Sequence, residues 1–154
     1  MRKVLIIMLI ICTSLLSGCM PEEYPFPNKD QPIEKIELLY NPAYGNNAVT
    51  WDSMENICIL DSENADAFLR ALYDIETHKC ITPPSSGYGF YVARVVYQNG
   101  DVEMFGSRHI EFIKKGDSPK EVGAYSFSKE EFEKLFFEYV ATFGDSGVVL
   151  LSPS

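Results

Sequence analysis

The chain has 154 residues, 46% of them hydrophobic, 23% charged and 13% aromatic, proportions that exclude a disordered chain, a collagen-like repeat and a polytopic membrane protein. Lys and Arg number 13 against 22 Asp and Glu, for a net charge of −9. A surface this acidic repels nucleic acid and anionic lipid headgroups, which bind by neutralising phosphate with Lys and Arg, so no nucleic-acid partner is expected.

Arg2 and Lys3 give a positive start, and Val4 to Leu16 form an almost unbroken apolar stretch of 13 residues. That pattern predicts a secretory signal peptide over residues 1–18. The run is too short for a permanent span, which needs roughly 20 apolar residues. Leu16-Ser17-Gly18-Cys19 follows it directly and resembles the lipobox of bacterial lipoproteins, a Leu and two small residues before a Cys. The resemblance implies diacylglyceryl transfer to the Cys19 sulfur, cleavage before it, and a chain held by acyl groups such as palmitate on the outer face of the cell membrane. Two acyl chains bury enough methylenes, at about 0.8 kcal/mol each, for stable anchoring.

Residues 19–32 hold Pro21, Pro25, Pro27 and Pro32, which favour extended polyproline II. They predict a semi-rigid tether with roughly 40 Å of reach. A single domain is expected over 33–154.

Within it, Ile36, Leu38 and Tyr40 alternate with Lys35, Glu37 and Leu39, the period of a half-buried strand. Residues 41–54 read as a long loop or loose hairpin, and Asn56 to Leu60 as a short strand. Ala65, Phe68, Leu69, Leu72 and Ile75 recur at helical spacing behind Asp61 and Ser62, either a natural N-cap, so a helix is expected over 62–75. Pro83 and Pro84 stop anything helical beyond it.

Tyr88 to Phe105 reads as a hairpin about Asn99-Gly100, a pair that suits a two-residue type I′ turn. That register sets Tyr97 opposite Val102 and Val95 opposite Met104. Tyr97, Val95, Ala93, Val102 and Met104 then share the core face, while Arg94, Glu103 and Phe105 lie on a wetter side, with Arg94 and Glu103 placed to pair diagonally. Ile110 and Phe112 continue the alternation, and Val122 to Phe127 is expected as another strand. Ser128-Lys129-Glu130-Glu131 has the form of a capping box, with Phe127 and Phe132 as a hydrophobic staple. Phe132, Leu135, Phe136, Tyr139, Val140 and Phe143 form the stripe of a second helix, with Gly144 as its C-cap. Val148 to Leu151 is long enough for a terminal strand. The order argues an α+β domain, a mainly antiparallel sheet with two helices packed on one face.

The body also looks like a group of small lipoproteins of unassigned activity from Gram-positive bacteria. The likeness rests on Ile33-Glu34-Lys35-Ile36-Glu37, the helix Ala65 to Leu72, Val95-Val96-Tyr97-Gln98-Asn99-Gly100, and Tyr125 to Phe132. These motifs are structural rather than chemical, so they imply the fold and no activity.

With Cys12 in the leader and Cys19 lipidated, Cys58 and Cys80 remain as a candidate disulfide or as two buried thiols. His78, Cys80, Cys58 and His109 lack the close ligand pairs of a zinc site, so no metal and no cofactor are expected. No motif for a Ser nucleophile, metallopeptidase, P-loop or dinucleotide site occurs, and no catalytic residue is assigned. Tyr44, Trp51 and Tyr88, with Tyr91 and Phe137, stand outside the core stripes and form a candidate binding surface for protein or carbohydrate. The expected function is a non-enzymatic binding module anchored outside the cytoplasmic membrane. The alternatives are a small enzyme with an unfamiliar site and an inhibitory or structural subunit of an envelope complex.

Overall fold

The computed structural model describes residues 19–21, 24–42, 54–80, 89–107, 109–116, 120–121 and 125–144. The elements in chain order are β1 (Cys19–Pro21), β2 (Ile33–Tyr40), β3 (Glu55–Leu60), α1 (Ser62–Tyr73), β4 (Thr77–Cys80), β5 (Tyr91–Tyr97), β6 (Val102–Gly106), β7 (Ile110–Ile113), β8 (Lys120–Glu121), β9 (Tyr125–Phe127) and α2 (Lys129–Phe143). Strands β3-β2-β5-β6-β7-β8 make one antiparallel sheet and β1-β4-β9 a second, smaller one. The α+β arrangement with both helices against the sheet is the expected class.

One face of the large sheet presents Ile36, Leu38, Ala93, Val95, Tyr97, Phe105 and Ile110 to Phe68, Leu72, Phe132, Phe136 and Val140 of the helices, in one buried cluster. The helices lie over β2, β3 and β5. The small sheet covers the β6 side, where Phe127 meets Phe105 edge-on at 6.0 Å and stacks on Phe132 at 5.6 Å. That last contact is the expected staple. The opposite face of the large sheet carries a smaller cluster of Leu39, Val92 and Met104, and beside it the ion pairs Arg94 to Glu37 at 2.9 Å and Lys35 to Glu37 at 2.7 Å.

The hairpin differs from expectation in a way that decides the chemistry. Tyr97 N–H donates to the Asp101 carbonyl and Gly100 N–H to the Tyr97 carbonyl, so the loop is the three residues Gln98, Asn99 and Gly100. Gly100 has φ +87, the left-handed residue that closes a three-residue loop. The register becomes Val95 opposite Glu103 and Ala93 opposite Phe105. A one-residue shift turns every side chain of β6 over. Glu103 and Phe105 therefore enter the core, Val102 and Met104 leave it, and Arg94 pairs with Glu37 in place of Glu103.

Other corrections are local. Thr77–Cys80 is a strand, in a stretch after α1 to which the sequence pattern assigns no element. Of the strand expected over 122–127, Tyr125–Phe127 is found, pairing in the small sheet, while Lys120–Glu121 just before that range adds an unexpected edge strand to the large one. Asp61 caps α1 by accepting from Asn64 N–H at 3.1 Å. Ser128 precedes α2 without any side-chain cap bond, so the capping box does not close. Gly144 is the C-cap of α2 as expected, its N–H donating to the Val140 carbonyl at 2.8 Å, with an extended backbone at φ −70 where a Cβ would meet that carbonyl at 2.5 Å.

The largest correction concerns the expected tether. Tyr24 is 2% exposed, its N–H donates to Thr77 Oγ1 at 2.7 Å, and its ring meets Phe105 and Tyr125 at 6.2 and 5.2 Å. Residues 24–31 are a strap folded onto the body. The prolines suit this course as well as an extended one, since a strap needs few backbone donors of its own. Among the described residues no helix is long and apolar enough to cross a membrane.

Candidate functional site

Where the strap crosses the end of β6 it closes over a polar centre. Glu103, 1% exposed, accepts from the Tyr24 hydroxyl at 3.3 Å and from the Tyr97 hydroxyl in a short bond. Tyr97 also shares a hydrogen bond with Tyr73 at the end of α1. Four elements thus converge on one carboxyl group: the strap, α1, β5 and β6.

Burial pushes the Glu103 carboxyl above its ordinary value, with the nearby Asp101 charge adding to the rise and the tyrosine hydroxyls opposing it. Asn28 beside it opposes the rise too, and its buried Nδ2 meets no acceptor in full hydrogen-bond geometry among the described residues. Burial first, then the Glu103 charge, pushes the Tyr24 and Tyr97 hydroxyls upward. The same two causes push Tyr73 up to about 12. Phenols held protonated in this way act as donors, so the cluster fixes the strap to the sheet.

Outside this centre lies a cleft of about 560 Å³, lined by Tyr24, Pro25, Phe26, Lys29, Tyr73, Asp74, Ile75, Glu76 and Thr77. Phe26 has φ +42, a region that a bulky side chain enters only when its surroundings hold it there. Those surroundings are rings: Tyr24 at 4.9 Å and Tyr73 at 4.4 Å. The strained residue is thereby the middle of an aromatic wall. Lys29 Nζ lies 5.5 Å from the Tyr73 ring centre.

Cys58 is a buried thiol in β3 of the large sheet, whereas Cys80 ends β4 in the small one, opposite Cys19 in the register. Cys19 itself is the first residue of β1. Tyr44, Trp51 and Tyr88 lie outside the described residues. Tyr91 is buried against Phe136 and Phe137 at 5.1 and 4.7 Å, so it does not belong to an open aromatic surface, and Phe137 is half-buried beside it. Among the described residues no group of three or more His, Cys, Asp or Glu is placed to hold a metal ion.

Sequence reasoning missed Glu103, Tyr24, Asn28, Phe26 and Tyr73. The signal for Phe26 was present in Pro25-Phe26-Pro27, an aromatic residue fixed between two prolines. For Glu103 it was the capacity of Asn99-Gly100 to serve a three-residue loop. Comparison with protein families, with curated proteins and with solved structures gives no match to this chain.

Proposed function

We propose that this protein is a lipid-anchored binding module on the outer face of the cytoplasmic membrane, held there through Cys19 and offering the cleft beside the strap to a small ligand. The observation that carries the reading is Leu16-Ser17-Gly18-Cys19 directly after a 13-residue apolar run with Arg2 and Lys3 before it. Small residues at 17 and 18 let an extended backbone enter a peptidase, and the thiolate of Cys19 supplies the nucleophile that takes up lipid. The cleft supports the binding half of the proposal. It is concave, aromatic and edged by a few polar groups, the usual composition of a small-ligand site, and its wall includes a strained residue.

The experiment is intact-mass analysis and membrane fractionation of the full chain expressed in a Gram-positive host. The wild type is expected in the membrane fraction, beginning at Cys19 and carrying diacylglyceryl mass. Cys19→Ser is expected to remain an uncut precursor or to leave the membrane fraction. Wild-type protein recovered from the cytosol without added lipid mass and with Met1 in place would overturn the proposal.

A further inference from the structure

The cleft selects among ligands by charge. Three rings, Tyr24, Phe26 and Tyr73, form its wall, and the exposed acids Asp74 and Glu76 are also among its lining residues, the Glu76 carboxylate 3.9 Å from His78 Nδ1. On the other side of Tyr73 a smaller cavity of about 200 Å³ is lined by Asp30, Asp66 and Arg70 among others. The Glu103, Asp66 and Asp30 charges all reach the Tyr73 hydroxyl and, after burial, raise it. The chain as a whole is acidic, with a net charge of −9, which concentrates cations near its surface.

The protein's own Lys29 shows what the ring accepts. Its ammonium lies 5.5 Å from the Tyr73 centroid, within the distance at which a ring quadrupole attracts a cation. Lys29 lines both cavities, and it is an exposed residue at the surface of the strap. A flexible exposed side chain can swing away and yield its place to a ligand.

We propose that the cleft binds an organic ammonium, the alkyl amine of a small cation such as a polyamine, which replaces Lys29 over Tyr73 and pairs with Asp74 and Glu76. This rests on the reading of the protein as a binding module and names the ligand class for that cleft. Phe26, held in its strained conformation, supplies the apolar surface for the alkyl part. The carboxylates distinguish the amine from a neutral sugar, which aromatic walls also accommodate.

The test is titration calorimetry on the mature, lipidated protein in detergent micelles, with spermidine as the probe and N-acetylglucosamine as the neutral comparison. Spermidine is expected to bind and N-acetylglucosamine to give no heat. Lys29→Met should tighten spermidine binding, by about threefold or more, because it removes the competing ammonium. Tyr73→Leu and Glu76→Gln should each weaken it by about tenfold. Should Tyr73→Leu fail to fold, Asp74→Asn and Glu76→Gln carry the test, since both residues are exposed. The proposal is overturned if spermidine binds neither the wild type nor Lys29→Met, or binds the carboxamide variants as well as the wild type. It is also overturned if N-acetylglucosamine binds and Tyr73→Leu abolishes that binding. Those outcomes leave the lipid mass on Cys19 untouched, so failure of the ligand class and failure of the anchoring are read separately.

Discussion

A carboxyl group enclosed by tyrosine hydroxyls accepts their hydrogen bonds, but burial removes the water that would stabilise its charge and so raises its affinity for a proton. For Glu103 the net result is a rise above the ordinary 4.5. The consequence for stability has a definite sign. Between 4.5 and the raised value the folded protein binds more protons than the unfolded chain, so the Glu103 contribution falls as pH increases through that window. Glu103→Gln keeps an acceptor for the Tyr24 and Tyr97 hydroxyls and removes the titration. Its stability relative to wild type, measured by urea unfolding at pH 5 and pH 8, is expected to improve with pH. Parallel pH dependence of the two proteins would contradict the assignment. Glu103→Leu, by contrast, leaves two buried hydroxyls without their acceptor and is expected to be destabilised by about 2 kcal/mol or more.

The two helices begin alike in sequence and differently in structure. Asp61 accepts from the Asn64 amide, whereas Ser128 contributes its backbone carbonyl to Phe132 N–H at 2.9 Å and no side-chain cap bond. Asp61→Ala is therefore expected to cost about 1 kcal/mol and Ser128→Ala less than about 0.5 kcal/mol in the same unfolding assay; equal losses would mean that the box closes in solution. The hairpin shows the limit of local reading more sharply. Val102-Glu103-Met104-Phe105 has apolar residues on both faces, so its pattern suits either register. Asn99-Gly100 suits two-residue and three-residue loops alike. What decides is non-local: the Gln98 amide reaches the Pro32 carbonyl at 3.0 Å, and the Lys115 amide reaches Asp101 Oδ1 at 3.0 Å. The helical stripes and the Phe127 to Phe132 staple were legible because each is set by neighbours within a few turns of chain. Phe143 ends its stripe 42% exposed, where the helix runs past the sheet it packs on.

At the scale of the whole molecule the strap joins the two sheets, and its role was hidden for a physical reason. A short proline-rich segment has no periodicity from which burial can be read, and its partners stand far along the chain: Thr77, 53 positions from Tyr24, and Glu103, 79 positions away. Its fate depends on a cavity made by β4, β6 and α1 that no local pattern reveals. If the strap is structural, removing it strips the Tyr24 ring from Phe105 and Tyr125 and leaves Glu103 and Tyr97 facing water. Deleting one such buried aromatic side chain costs about 3–5 kcal/mol, against a total stability of about 5–15 kcal/mol for a domain. A chain beginning at Ile33 is accordingly expected to lack the cooperative thermal transition and near-ultraviolet circular dichroism of a chain beginning at Met20. Were the shorter chain to melt within a few degrees of the longer one, residues 20–32 would be a tether after all. The lipid anchor proposed at Cys19 would then hold the domain at a distance, where the strap instead places it at the first strand of the small sheet.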